Sequence, residues 1–329
     1  MPFDFVPVHA MSFIPLPLLG NPHVQTVLGN LLPGVPRTLR VVKRLVALAD
    51  GDHIVLHETP PLRSPRHPAP IALLVHGLGG SHRSAYMARV ANRLIDLGGR
   101  VFRMDLRGAG AGLRHARRFY NAACSADVRA VVEYIAGAYP TAPIAVLGFS
   151  LGGNIALKFA GEMGQAMPPS VCAIVALAPP IDLIRCSQMI EQYPLYDSFY
   201  VSHLTSQVAQ HQASFPELPR VEFPRQVSLR QFDEIYTAPR WGFADALDYY
   251  AKASSAPLIP AIRVPTFILT SRDDPFVAVE PFERLPPMPT LELHITDHGG
   301  HMGFLGGDGA GGIRWAETRI ADWLMNKAR

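Results

Sequence analysis

The stretch PIAVLGFSLGGNIALKFAGEM, residues 143–163, changes character at Ser150. Before the serine, PIAVLGFS (143–150) is a short apolar run of the kind that forms a buried strand. After it, LGGNIALKFAGEM (151–163) reads as a helix. Gly148, Gly152 and Gly153 surround the serine. A serine at a sharp strand-to-helix junction takes a sparsely populated backbone conformation, at a cost of order 1–3 kcal/mol. Side chains at positions 148 and 152 would crowd that turn, so glycine is favoured there. The Ser150 hydroxyl should then project from the C-terminal edge of a sheet. It would sit above a helix N-terminus, whose free N–H groups and dipole favour negative charge.

Outward from this turn the same alternation repeats. IALLVH (71–76), RVFRMD (100–105) and VCAIVALAPP (171–180) are strand-like, while SAYMARVANRLIDLG (84–98) and ADVRAVVEYIAGAY (126–139) are helix-like. Upstream, RTLRVVKRLVAL (37–48) and HIVLHE (53–58), split by ADGD, look like a hairpin. The rhythm stops after Pro180 and resumes with VPTFILTS (264–271), LELHIT (291–296) and the helix GIRWAETRIADWLMNK (312–327). Ile313, Ala316, Ile320, Trp323 and Leu324 of that helix share a face that should pack on the sheet. Strands alternating with amphipathic helices imply an α/β protein with a mostly parallel sheet covered on both faces. We expect one domain over 1–329, with an N-terminal extension (1–36) and a helical lid (182–262) inserted after the sixth of eight strands.

Composition narrows the classes. The chain has 329 residues, 48% hydrophobic and 17% charged, which suits a globular core rather than a disordered polymer. A net charge of +3 is too mild to suggest a nucleic-acid partner. Arg103, Arg107, Arg114, Arg117 and Arg118 form one denser cluster. It reads as a solvated loop, with attraction of anionic head groups or phosphate as the sharper alternative. Cys124, Cys172 and Cys186 have no paired spacing, which suits a reducing compartment, and Cys172 reads as a small core residue. No apolar run approaches the ~20 residues of a membrane span. The expected location is cytoplasmic, with room for peripheral membrane contact through the apolar, proline-rich N-terminus.

By composition alone G-x-S-x-G recurs in roughly one chain in ten of this length, so context must decide. Here the motif follows a strand and opens a helix, the setting of a nucleophile elbow. A serine nucleophile needs a base, and the base needs an orienter. TSRDDPFV (270–277) and DHGGHMGF (297–304) each follow a predicted strand and so fall on the same sheet edge. Of the adjacent acids Asp273 and Asp274 we prefer Asp274, three residues beyond the strand end, leaving Asp273 to bind loop backbone. Of His298 and His301 we prefer His301, which Gly299 and Gly300 can turn back over the sheet. The oxyanion of an acyl-transfer intermediate needs backbone donors. We assign Leu151, just after the serine, and Leu78 in VHGLGGS (75–81), with Gly79 as the fallback. His76 should hold that loop by hydrogen bonds. No third ligand is spaced to turn His298 and His301 into a zinc site, so no metal or other cofactor is expected.

With NPHVQT (21–26), HGLGGS (76–81), DLRGAG (105–110), GFSLGGN (148–154), FDEIYTAPRWGF (232–243), DYYAKAS (248–254), DDPF (273–276) and GGHMGF (299–304), nearly the whole chain resembles the YheT-type α/β hydrolases. These are related to mammalian abhydrolase-domain lipases with an N-terminal membrane anchor. The resemblance implies the α/β-hydrolase fold and carboxylic ester hydrolysis. It puts the nucleophile at Ser150, the acid within DDPF and the base at His301. Substrates of relatives include acylglycerols and medium-chain phospholipids, so a small ester or lipid-like molecule is the expected partner. The loop RGAGAGLRH departs from the Gly-Glu-Pro run frequent in the family. NPHVQT reads as a brace, through Asn21 and His23, and Trp241, Phe243, Tyr249 and Tyr250 read as lid anchors. The competing functions are a non-catalytic ligand-binding module, or acyl transfer or thioester cleavage by the same three side chains.

Overall fold

A computed structural model describes residues 13–32, 34, 37, 39–62 and 69–327. Much of the N-terminal apolar segment and the middle of the proline-rich stretch 59–70 lie outside these residues. Eight strands form one sheet in the order β1-β2-β4-β3-β5-β6-β7-β8. They are β1 (Val42–Ala47), β2 (His53–Thr59), β3 (Ile71–Val75), β4 (Val101–Asp105), β5 (Ile144–Phe149), β6 (Val171–Leu177), β7 (Thr266–Ser271) and β8 (Leu291–Thr296). Strand β2 is antiparallel to both β1 and β4, and the remaining neighbours are parallel. The parallel crossovers bring the C-terminal ends of β3, β5, β6, β7 and β8 to one edge, where loops can converge.

Strand periodicity divides the core between the two faces. Ile71, Leu73 and Val75 of β3 face one apolar cluster, with Val128, Val131, Val132 and Ile135 of α3 (Ser125–Ala138) and Ile155 and Phe159 of α4 (Leu151–Met163). Ala72 and Leu74 face the other, with Met87, Val90 and Leu94 of α2 (Ala85–Asp96) and Ile320 and Leu324 of α8 (Trp315–Lys327). The last helix starts at Trp315, so Ile313 precedes it and is exposed rather than on the buried face. Cys172 is half-buried at the margin of the second cluster.

Between β6 and β7 the chain adds α5 (Leu183–Ile190), α6 (Pro194–Ser214), a helical segment 229–241 and α7 (Ala246–Ala253). The sequence predicts helical pieces here, such as GFADALDYYAKAS (242–254), without delimiting the helices. Helix α6 runs for 21 residues with few buried side chains, so its burial pattern is weak. Asn154 of α4 holds this insertion to the sheet. Its Nδ2 donates to Ala253 O at 2.9 Å, and its Oδ1 accepts from Ser255 N at 3.0 Å. The indole of Trp241 donates to Phe119 O at 2.8 Å, and the Tyr249 hydroxyl accepts from Ala122 N at 2.9 Å. The stretch NPHVQT opens α1 (Pro22–Leu31), with Asn21 as its N-cap.

Candidate active site

Ser150 joins β5 to α4 with φ 51° and ψ −121°, backbone that L-residues seldom adopt. Its glycine neighbours are steric requirements. A Cβ at Gly148 would overlap the Gly152 carbonyl, and one at Gly152 would overlap the carbonyl of Val75. The Ser150 N–H donates to Leu177 O at 2.8 Å, tying the turn to β6. Packing thus over-determines a conformation that the chain would not hold alone.

The loop after β8 brings His301 over this turn. Its Nε2 lies 2.9 Å from Ser150 Oγ, and its Nδ1 lies 2.8 Å from Asp274 Oδ2. Asp274 is held by the backbone N–H groups of Phe276 and Val277, which donate to its Oδ1 at 2.8 and 3.0 Å. Asp274 and His301 are both buried, which strengthens these charge-assisted bonds. The neighbouring pair faces elsewhere. Asp273 Oδ1 accepts from Gly300 N at 2.8 Å, and its Oδ2 is 3.3 Å from the exposed His298 Nδ1.

Two residues that the sequence reading missed fix the histidine loop. Thr26 Oγ1 accepts from His301 N at 2.9 Å, and Gln25 Oε1 accepts from Leu305 N at 2.7 Å. Both sit on α1, inside the motif read as a brace. The sequence singles out instead Asn21, which caps the helix, and His23, whose Nδ1 meets Tyr196 Oη. A threonine or glutamine that binds distant backbone leaves no local signature.

The glycine loop after β3 lies on the other side of Ser150. The N–H of Gly77 donates to Tyr86 Oη at 2.9 Å, and that of Gly79 donates to Tyr120 Oη at 2.7 Å. Gly79 is therefore engaged. Among the described residues no acceptor meets the N–H of Leu78 or of Leu151. His76 is buried beneath the loop. Its Nδ1 donates to Gly77 O at 2.8 Å and its Nε2 accepts from Leu106 N at 3.1 Å. Burial pushes its pKa down and keeps the ring neutral, as that pattern requires.

Two cavities meet at Ser150 and His301, with Leu78, Tyr200 and Phe276 in both walls. The inner cavity, about 100 Å³, runs beneath the insertion past buried Phe232, Tyr249 and Val277. The outer one, about 880 Å³, opens between α1 and α6, with exposed Leu31, Leu195 and Phe199 at its rim.

Polar networks brace this edge from behind. His57 Nε2 and His82 Nδ1 both donate to Asp105 Oδ2, at 2.9 and 2.8 Å, with their rings stacked 3.4 Å apart. Burial would raise the Asp105 carboxyl, but the two imidazole donors outweigh it and hold it well below the usual range. These three residues are close enough to hold a metal ion. However, Asp105 also accepts from His82 N at 2.7 Å and Ala111 N at 2.9 Å, so protein donors already engage both its oxygens. The arginine cluster is not uniformly a solvated loop. Arg114, Arg117 and Arg118 are exposed, but Arg107 is buried. It binds Asp127 through Nε and Nη2 at 2.7 Å each, and Asp50 and Asp52 through Nη1 at 2.7 and 2.9 Å. It therefore offers no free charge to an anion.

The family model for the alpha/beta hydrolase fold matches residues 70–308. The chain belongs to the α/β-hydrolase family. Within it, the hydrolase is of the YheT type. It is 31% identical over 95% of its length to YheT of Escherichia coli (strain K12), covering 93% of that protein, whose name carries a provisional esterase label. It is 26% identical to the human phospholipase ABHD3, over 92% of this chain and 76% of that one. It is 29% identical to the monoacylglycerol lipase of Saccharomyces cerevisiae, over 78% and 59%. Among solved structures, 2,6-dihydroxy-pseudo-oxynicotine hydrolase superposes with a TM-score of 0.60 at 20% identity, over 93% of this hydrolase and 72% of that chain. The Pyrococcus furiosus esterase Pf2001 gives 0.55 at 18%, over 90% and 96%. At such identities the structural likeness speaks to fold alone. Among the described residues no helix is long and apolar enough to cross a membrane.

Proposed function

We infer that the chain, a carboxylic ester hydrolase of esterase and lipase type, works through Ser150, His301 and Asp274 by way of an acyl-enzyme. The observation that carries this reading is the continuous run from Ser150 Oγ to His301 Nε2 at 2.9 Å and from His301 Nδ1 to Asp274 Oδ2 at 2.8 Å. Ser150 Oγ attacks the ester carbonyl while His301 Nε2 takes its proton. Asp274 holds the Nδ1–H tautomer and stabilises the imidazolium. The N–H groups of Leu78 and Leu151 receive the oxyanion, since both are unengaged and both residues line the cavity beside Ser150. His301 returns its proton to the departing alcohol. Water then repeats the sequence on the acyl-enzyme and releases the acid.

The two cavities suggest a division of the substrate. The inner one suits the acyl group, which stays attached through both steps. The outer one suits the alcohol, which must leave first. Residues 182–262 act in this reading as a lid over the inner cavity, and α1 in the N-terminal extension braces the base. Short- to medium-chain esters are the proposed substrates.

A fluorophosphonate probe should label Ser150 in the folded protein and fail on Ser150→Ala, with ester hydrolysis lost in parallel. Folded protein that neither reacts with the probe nor turns over any ester would return the chain to the class of binding modules. A second reading has one specific support, a relative from Saccharomyces cerevisiae, 29% identical, named a medium-chain fatty acid ethyl ester synthase/esterase. Acyl transfer to alcohol would appear as ethyl ester in assays with added ethanol.

A further inference from the structure

The inner cavity is not uniformly apolar. Phe119, Leu183, Ile190, Leu204, Phe232 and Val277 give part of its wall an apolar character that suits an alkyl chain. Polar side chains interrupt it, and two of them, Asp233 and Asn121, are not accounted for by the proposed chemistry. Asp233 lies at the start of a π-helical turn, Asp233–Thr237, within the motif FDEIYTAPRWGF. Such turns interrupt a regular helix at some cost and recur where a side chain must be re-aimed. Asp233 is buried and its carboxylate meets no cation among the described residues. Its partners are hydroxyls, with Thr237 Oγ1 donating to Oδ1 at 2.6 Å and Tyr250 Oη to Oδ2 at 2.7 Å. Each carboxylate oxygen retains accepting capacity.

The second side chain is Asn121, which is 2% exposed. Its Oδ1 accepts from Ala123 N at 2.6 Å. Its Nδ2 has no partner among the described residues, although it is buried and the residue is part of the same cavity wall. An unmade hydrogen bond on a buried donor is costly, because its hydration is lost with nothing in return. A buried carboxylate without a cation adds to that cost. Packing alone supplies no reason to place an unpaired amide donor and a carboxylate without a cation in one cavity wall. A ligand hydroxyl that reached both side chains, with a rotation of the Asn121 amide toward the cavity, would relieve both penalties at once.

We propose that Asn121 and Asp233 form a polar recognition station in the acyl cavity, selecting esters whose acyl chain carries a hydroxyl group. A hydroxyl donates to the carboxylate and accepts from the amide N–H. A plain alkyl chain does neither, and an ammonium group would leave the amide donor unmet. The inference rests on the proposed ester hydrolysis and deepens it by naming the substrate class.

The test compares methyl hexanoate with methyl hexanoates hydroxylated at positions 3 to 6, followed by acid release at constant pH. In the wild-type protein at least one hydroxy ester should exceed the plain ester in kcat/KM by about tenfold. That ratio should collapse toward one in Asn121→Leu and in Asp233→Asn. Calorimetry on Ser150→Ala supplies a readout independent of turnover and of those two variants. There the favoured hydroxy ester should bind about tenfold tighter than the plain one. Turnover of the plain ester with no preference for any hydroxy ester would overturn the station and leave the hydrolase reading intact. Absence of all turnover would instead sink the hydrolase reading. Calorimetry would then still decide the station, with equal binding of the two esters counting against it.

Discussion

The imidazole Nε2 of His301 lies 2.9 Å from Ser150 Oγ across 151 residues of chain. Strand order makes this meeting feasible, since β5 and the later β7 and β8 all end at one sheet edge. The exact placement depends on partners outside both motifs. Thr26 holds the His301 backbone, and Asp274 holds its Nδ1.

Asp274→Asn tests the orienting role. An amide at this position can present N–H to Nδ1 and favour the wrong tautomer. The expected loss in kcat is about 10⁴-fold, with the fold preserved by circular dichroism. Asp273→Asn should cost far less, because Asp273 binds Gly300 N and the exposed His298. The reverse order of effects would transfer the role to Asp273.

Tyr120→Phe tests the glycine loop. The Tyr120 hydroxyl accepts from Gly79 N at 2.7 Å and holds the loop that presents Leu78. Without it, Gly79 N–H loses its acceptor and the loop can shift. We expect kcat to fall on the order of tenfold, since small displacements of oxyanion donors are costly. Steady-state kinetics would separate this from a change confined to KM, which would point to a loss of cavity shape instead.

Arg107→Ala should cost about 3–5 kcal/mol, because it leaves Asp127 and Asp52 buried without their counter-charge. Arg107→Lys should recover only part of this, because an ammonium cannot span both oxygens of Asp127 as the guanidinium does. Urea unfolding gives the difference. A loss below about 1 kcal/mol for the alanine variant would place this network among weak surface pairs.

Asp233 should make stability depend on pH in a direction opposite to most acids. Burial lifts its pKa from 3.8 to about 6, against the hydrogen bonds from Thr237 and Tyr250. Between those values the unfolded chain releases the proton and the folded chain keeps it. Stability therefore falls as pH rises from about 4 to about 6. The full loss is on the order of 3 kcal/mol and persists above that window. Asp233→Asn carries no such titration, so its unfolding free energy should gain on the wild type across the window. A difference between the two proteins that stays constant from pH 4 to 7 would contradict the raised pKa.

Local patterning made the sheet legible. The eight strand-like runs correspond to the eight strands, because burial on both faces leaves a short apolar run that no distant contact needs to explain. The first strand begins at Val42, five residues after the start of the expected segment at 37, and the last helix excludes Ile313. Element ends depend on pairing partners and caps, which a pattern does not contain. Helix α6 escaped notice because its buried positions are sparse.

The chain by itself determined the strand–helix alternation, the glycine-framed turn at Ser150, and the succession of serine, acids and histidines along one sheet edge. These follow from periodicity and from backbone sterics, which act over a few residues. Only the tertiary structure decided that Asp274 rather than Asp273 meets His301, that Gly79 is engaged while Leu78 is not, and that Arg107 is buried. It alone placed Asn121 and Asp233 in one cavity wall. Such outcomes depend on where each side chain finds hydrogen-bond partners after the elements pack, and those partners come from segments distant in the chain.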